Sequence, residues 1–506
     1  MDKRMQRAKL NAATTLLHQV VATACGLVIP WVLIGSFGSE AYGATTSIAQ
    51  FLSYIALFEG GIGRVARGAL YGPLAAHDET EISRIYLAIK RFFCILGFAF
   101  LGYTLILAFF YHDIADVTGF TWEYTFALVL AIAIGRFAEY MGGISNITLF
   151  NADQKQYVVN TVVIFTNILN VIAIVLLTNF GADILFVRLI SSFVFILKPL
   201  LFTLYLKKNY RIKRTGERAV LKNRATGIAQ HMAYVVHSNT DVLLLTVCAD
   251  LKFVAVYSVY HLVSFSLRNI TTSFTGGMEA IFGSMIANGE QEELEKTYRR
   301  YKMILTLLTL TLFSAAGALV LPFVKLYTEG ANDANYSQPV FAIILLMAEA
   351  IECLIWPCFN LSIAANKLKE SRIGAYLEAV INLGVSFVLV LVFDPLIGVA
   401  SGTLLSALFK SVYYISFSAK NVLRVKVKRL LTQFLATISI LVVLSVAGMM
   451  IVIKLPLDNY LRWIACGFCT VAITTIISLV AATMLYPQMA WEYVLMLKNK
   501  ILSMKR

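Results

Sequence analysis

Ionisable residues at helical spacing inside apolar segments are the first feature with chemical meaning. Gln230, Tyr234, His237 and Asp241 lie 4, 3 and 4 residues apart and so share one helix face. Tyr257, His261, Ser264, Arg268, Thr272, Thr275 and Glu279 repeat that spacing over a longer run. Further stripes are Arg136, Tyr140, Gly143 and Asn146 with Glu139 adjacent; Glu349, Glu352, Trp356 and Asn360; Glu378, Asn382 and Ser386; and Gly402, Ser406, Lys410 and Tyr413. A charged group at the centre of a bilayer costs about 2.5–3.5 kcal/mol on the insertion scale, so roughly ten of them facing lipid would cost tens of kcal/mol. They must face one another or water, and stripes in both halves of the chain predict a hydrated cavity between two lobes. For Asn382 and Ser406 alone, hydrogen-bonded glue between helices suffices. Asp241 either lines the cavity, pairs with His237 or Arg268, or belongs to a buried pair that only orders its own lobe.

The basic residues suit an anion. Arg64 and Arg67 follow "EGGIG", Arg136 and Arg268 sit near the middle of their segments, one in each half, and Lys198 and Lys410 follow in later segments. A guanidinium presents a planar fork that matches phosphate oxygens. The first half holds Arg64, Arg67, Arg136 and Arg188 against Glu59 and Glu139, a balance that disfavours an organic-cation cargo. Tyrosines and amides nearby, among them Tyr54, Tyr140, Asn146, Asn167 and Asn360, suit sugar hydroxyls and ring faces. The candidate substrate-binding set is therefore Arg64, Arg136, Tyr140, His237, Asp241, His261, Arg268, Glu349 and Glu352. Glu349 with Glu352, or His237 with Asp241, could carry a proton, and coupling to H+ or Na+ is left open. No catalytic constellation, phosphate-binding loop or metal set stands out. The seven cysteines all lie in apolar segments and read as packing residues.

These residues must be held by membrane helices. The chain has 506 residues, is 59% hydrophobic and only 14% charged, and has a mean hydropathy of +0.75, which excludes an ordinary soluble domain. Apolar runs long enough to cross a ~30 Å hydrocarbon core fall near 12–35, 44–70, 87–110, 124–149, 156–178, 183–206, 228–249, 253–283, 301–327, 338–364, 373–393, 397–418, 431–453 and 460–486. The expected fold class is all-α, a polytopic membrane protein with fourteen transmembrane helices. Alternate connectors hold nearly all the loop lysines and arginines, most densely in "KKNYRIKRTGERAVLKNR", so both termini are expected in the cytoplasm. That asymmetry accounts for the net charge of +14 without nucleic acid. The connectors on the other side are too short to house an enzymatic domain, which speaks against a membrane enzyme.

The chain also repeats itself. "HDETEISRIYLAIKR" at 77–91 and "GEQEELEKTYRRYK" at 289–302 match at an offset of 212, Glu81 with Glu293 and Tyr86 with Tyr298; "NITLFNADQK" at 146–155 and "NLSIAANKLK" at 360–369 match later, two residues out of that register. Spans 1–6 and 7–12 are thus expected to be two copies of a six-helix unit related by an axis along the membrane normal. The expected divisions are an N-lobe at 1–206, a cytoplasmic basic linker at 207–227, a C-lobe at 228–418, and spans 13 and 14 with a cytoplasmic tail at 419–506.

Over essentially its whole length, and in "GSEAYGATTSIAQFLSYIALFEGGIGRVARGALYGPLAAHDETEI" and "NTDVLLLTVCADLKFVAVYSVYHLV" above all, the sequence resembles the bacterial polysaccharide transporter family. These are the O-antigen and exopolysaccharide repeat-unit flippases of the superfamily that also holds MATE drug exporters and lipid II flippases. The resemblance implies a two-lobed, V-shaped fold in the bacterial plasma membrane. It implies a flippase, not an enzyme, that carries undecaprenyl-diphosphate-linked oligosaccharide from the cytoplasmic to the outer leaflet for surface polysaccharide biosynthesis. It also implies a groove for the lipid tail at spans 13 and 14, and membrane lipids, a glycan polymerase and assembly proteins as partners. Lipid II flippases carry a charged triplet in the first span; here that span has only His18, which argues against that branch. A cation-coupled MATE-type multidrug exporter is the alternative.

Overall fold

A computed structural model describes residues 3–59, 62–213, 228–273, 275 and 277–489. Helices account for nearly all of them: α1 (Lys3–Ser53), α2 (Ile62–Ala76), α3 (Glu79–Ile114), α4 (Trp122–Ala138), α5 (Ile144–Ala152), α6 (Gln156–Asn179), α7 (Ile184–Asn209), α8 (Ile228–Cys248), α9 (Leu251–Ser273), α10 (Met278–Ala287), α11 (Gln291–Tyr327), α12 (Pro339–Ala364), α13 (Leu368–Val392), α14 (Pro395–Ser418), α15 (Val427–Val452) and α16 (Tyr460–Leu485). Their starts are written in the sequence. Asp78 accepts from the backbone N–H groups of Thr80 and Glu81, Asp183 caps α7, Asp394 caps α14 just before Pro395, and Asn459 caps α16. Among the described residues, eleven helical stretches are long and apolar enough to cross a membrane. The first, Met5–Glu59, covers the first expected span and the larger part of the second; it breaks at Gly38, whose φ of 82° no helix contains, and tightens to a 3-10 turn at Tyr54–Glu59, and α2 carries the remainder from Ile62. The expected segments 228–249 and 253–283 hold the shorter apolar stretches Asn239–Cys248 and Met278–Ala287.

Two sequence expectations change in detail. The segment 253–283 is not one helix: α9 ends at Ser273, Gly277 takes a φ of 88°, and α10 starts afresh. The stripe from Tyr257 to Glu279 therefore cannot run unbroken down a single face. The segment 124–149 is helical throughout, but a π-helical turn at Glu139–Gly143 joins α4 to α5.

The chain divides into two compact units, one formed by Met1–Ala255 with Gly330–Ala334, the other by Val256–Glu329 with Asn335–Arg506. The first unit extends to Ala255; of the basic linker expected at 207–227, residues 214–227 lie outside the described residues. The reason is visible in α8, which packs on α1. Ser47 Oγ and Thr246 Oγ1 are 2.7 Å apart, Ser53 donates to Asn239 Oδ1 at 2.6 Å, and Gly43 leaves room for the backbone of Leu251, where a Cβ would come within 2.8 Å of the carbonyl carbon. At the start of α6 in the same unit, Arg7, Lys155 and Tyr210 converge on Asp153, the tyrosine at 2.6 Å. Burial and that carboxylate push the Tyr210 hydroxyl well above its ordinary pKa, so it stays a donor.

The second unit is built on α11. Its core joins Tyr298, Leu305, Ile355, Tyr414 and Phe434 from α11, α12, α14 and α15. The last two helices both rest on α11: a Cβ on Gly448 would lie 2.8 Å from Ala318 Cβ, and the Trp463 indole donates to the Leu319 carbonyl at 3.2 Å.

The 212-residue offset reappears in the backbone. α3 and α11 start at 79 and 291 and run for 36 and 37 residues. α5 and α12 end at Ala152 and Ala364, and α6 and α13 start at 156 and 368. The left-handed residues follow suit, His77 (φ 54°) with Gly289 (73°), and Gln154 (56°) with Asn366 (54°). Even a buried side-chain contact recurs: Tyr86 donates to Asn146 Oδ1 at 2.8 Å, and the Tyr298 hydroxyl lies 3.1 Å from Cys358 Sγ.

Candidate functional site

In the first unit, the charged residues gather where α4 gives way to the π-helical turn. Arg136, in the last turn of α4, lies 3.8 Å from Glu139 Oε2, and Lys198 of α7 reaches Glu139 Oε1 at 3.4 Å. One carboxylate is thus shared by two cations. They line a cavity of about 270 Å3 together with Ala49, Ser53 and Ser192. Tyr140 has no exposed surface; it packs near Phe93 and Phe100, and its hydroxyl donates to Glu59 at 2.6 Å. Asp241 is buried on α8.

In the second unit, the stripe of α9 is used against α12. Arg268 binds Glu349 at 2.8 Å and lies over the Phe265 ring; His261 Nε2 stands 3.8 Å from the other oxygen of Glu349 and stacks between Tyr257 and Phe265. One turn along α12, Glu352 meets a different neighbour and accepts from Lys410 of α14 at 2.9 Å. Lys410 also donates to Glu378 of α13 at 3.0 Å. Three helices are thereby tied by one ammonium. Two carboxylates three residues apart, which share one face on a helical wheel, in fact serve two separate clusters.

The structure therefore brings together Arg268, His261 and Glu349, and separately Arg136 with Glu139 and Lys198. The side chains of Arg64 and His237 lie outside the described residues, as do those of Gln230 and Tyr234. Asn146 and Asn360, read as groups for a sugar, are engaged by Tyr86 and Tyr301. Asn382 donates to Thr403 at 3.0 Å and to Ser406 at 3.4 Å, in line with the glue reading. The ion partners of Lys198 and Lys410 escaped sequence reasoning. A signal existed: the two lysines are 212 residues apart, the offset of the repeat, and each meets a glutamate of its unit's fourth helical segment.

No protein-family profile matches the sequence, and no curated protein is similar to it at a significant level. Solved structures do match. A lipid II flippase, MurJ, in an inward closed conformation superposes with a TM-score of 0.68 at 14% identity, covering 95% of this chain and 99% of the other. An inward-facing multidrug resistance MATE family transporter matches with a TM-score of 0.56 at 14% identity, covering 83% and 100%. The MATE multidrug transporter DinF-BH matches at 0.57 and 14%, covering 83% and 97%. At such identities what is shared is the fold: this chain is an all-α, multi-pass membrane protein with the fold common to the MurJ and MATE structures.

Proposed function

We propose that the protein is a flippase, not an enzyme, that moves undecaprenyl-diphosphate-linked oligosaccharide repeat units from the cytoplasmic to the outer leaflet of a bacterial plasma membrane, with both termini cytoplasmic. The observation that carries the reading is the extent of the likeness to a structure described as a lipid II flippase. A match over 95% of the chain must reach into α15 and α16, because everything after residue 418 amounts to 88 of 506 residues (506 − 418 = 88). The two MATE family structures described above match 83% of it.

The charge balance of the first unit supports an anionic cargo. Arg136 and Lys198 share Glu139, so the wall of that cavity offers a diphosphate two cations and one carboxylate. The Arg136 guanidinium can hold two phosphate oxygens at once, and a lysine can offer only a point charge. Arg268 is tied to Glu349 at 2.8 Å, so a phosphate reaching it must displace that carboxylate, which suits a residue that binds in one state and releases in another. An inside-negative potential favours export of the diphosphate by roughly 2.3 kcal/mol per charge per 100 mV, so no nucleotide is required. Glu352, Glu378 and Lys410 are the residues through which a proton could be exchanged.

The test is surface glycan display in a strain deleted for its own flippase, with membrane protein level checked by blot. Arg136→Ala and Arg268→Ala should each reduce display at normal expression, and Arg268→Lys should reduce it less. Full display from Arg64→Ala, Arg136→Ala and Arg268→Ala alike would overturn the anion cradle. Resistance to cationic dyes with no glycan restored in any compatible host would replace the flippase with a multidrug exporter.

A further inference from the structure

A second cavity in the first unit has no role in the flippase reading as it stands. It measures about 400 Å3 and is lined by Tyr42, Thr45, Thr46, Gln50, Arg188 and Ser192, from the second half of α1 and from α7. Arg188 is its only charged wall residue. One terminal nitrogen of the guanidinium donates to Thr45 Oγ1 at 2.6 Å, while Nε is buried with no acceptor. Among the described residues no carboxylate pairs with it. A guanidinium has five N–H donors, and the one bond to Thr45 leaves the others without an acceptor among the described residues. A cation at this depth is found paired or turned to water, and Lys198, Arg268 and Lys410 each have their carboxylate.

The scaffold does not demand this arginine. Asp183 and Asp394 cap the equivalent helices α7 and α14, and Arg188 in the first unit is answered in the second by Val399 counted from the caps, or by Ala400 at the 212-residue offset of the lysines, both fully buried. The Lys198–Glu139 pair, by contrast, has its counterpart in Lys410–Glu352. The cavity also adjoins the one that holds Arg136 and Lys198, since Ala49, Ile132, Ser192 and Phe195 form walls of both. Along α7 the ten residues from Arg188 to Lys198 span about 15 Å.

We propose that Arg188 is an oxyanion station that takes a phosphate or diphosphate group, about 15 Å along α7 from Lys198. Thr45 orients the fork, and the hydroxyls of Tyr42, Thr46 and Ser192 donate to the remaining oxygens. The anion completes the pairing that the protein leaves open. As part of a transport path this deepens the flippase reading and rests on it, but the site itself is a claim about binding.

The experiment uses the full chain in nanodiscs of phosphatidylcholine, with inorganic pyrophosphate as probe and chloride as control, read by calorimetry. Pyrophosphate should bind the wild type, at least tenfold more weakly Arg188→Gln, and a few-fold more weakly Arg188→Lys. Thr45→Val, which keeps the charge and removes its orienting partner, should also weaken binding a few-fold and guards against misfolding of the glutamine variant. In a second arm, the protein is taken from nanodiscs containing phosphatidylglycerol into native mass spectrometry. A phospholipid retained by the wild type and lost in Arg188→Gln, without pyrophosphate binding, assigns the station to a lipid headgroup phosphate. If neither pyrophosphate nor phospholipid responds to any of the three substitutions, the station is refuted, even when the wild type restores glycan display. If pyrophosphate binds through Arg188 but no glycan is restored in any compatible host, the flippase reading fails and the station stands.

Discussion

Lys410→Met is the most telling single perturbation of the second unit. The ammonium donates to Glu352 at 2.9 Å and to Glu378 at 3.0 Å, with the lysine side chain 15% exposed and the carboxylates 11% and 7%. Methionine fills the same volume and removes only the charge, leaving two carboxylates facing each other across helices α12 and α13. Removing one partner from a buried pair typically costs about 3–5 kcal/mol, because the remaining charge is stranded. At about 2 °C per kcal/mol for a unit of this size, the melting transition should fall by roughly 6–10 °C. The assay is thermal unfolding of detergent-solubilised protein followed by tryptophan fluorescence or size-exclusion recovery. The triple variant Lys410→Met, Glu352→Gln, Glu378→Gln removes the stranded charges as well and should recover more than half of the loss. Asp458→Asn breaks an ion pair whose partners are more than half exposed and should leave the transition where it is. A Lys410→Met protein as stable as the wild type, or a triple variant no better than the single, would refute the view that this ammonium neutralises a buried acidic pair.

Other substitutions probe packing and single bonds. Gly402→Val should prevent recovery of folded protein, since even a Cβ there would lie 2.6 Å from the Ser386 backbone nitrogen, which holds α13 against α14; yield on size exclusion reads this. Gly38→Ala should lower the melting transition, because a φ of 82° strains any side chain and Asp333 Oδ2 already stands 3.0 Å from the new Cβ. Tyr140→Phe removes a bond to the Glu59 carboxylate and should cost about 1.5–3 kcal/mol by the same thermal assay. Asp153→Asn loosens the meeting point of Arg7, Lys155 and Tyr210 and should destabilise more than Glu81→Gln, which breaks only a local pair on α3.

The helical segments and the repeat were legible because each has a local or periodic signature: the run length and the offset of 212. The clusters were half legible. Spacing alone put Glu349 and Glu352 on one stripe, yet a helix face about 100° wide looks onto two neighbours, so Glu349 meets α9 and Glu352 meets α14. Pairing is decided by which helix lies opposite, and no periodicity within one segment carries that. The polar face of α9 was read one turn too far because a break of a few residues at Gly277 has the composition of any flexible stretch. Arg188 entered the sequence reading only through the charge balance of the first half, because it stands alone among apolar residues with no stripe to mark it.

The π-helical turn at Glu139–Gly143 sets the phase of everything before it. Such a turn is an α-helix with one residue more than it needs, and that residue rotates the stretch before the turn by about 100° relative to the stretch after it. The arithmetic of the repeat records the insertion. Beyond the turn, Ala152 corresponds to Ala364 at an offset of 212; before it, Arg136 and Glu139 correspond to Glu349 and Glu352 at 213. The extra residue is what aims Glu139 at Lys198 as Glu352 is aimed at Lys410, while leaving an arginine where the other unit has an acid. Excising one residue, Met141 for example, would re-wind the segment as plain α-helix and swing Arg136 and Glu139 together out of their cavity, with no change in which charged side chains the protein owns. The polarity of this interior is thus encoded as a length as much as a composition.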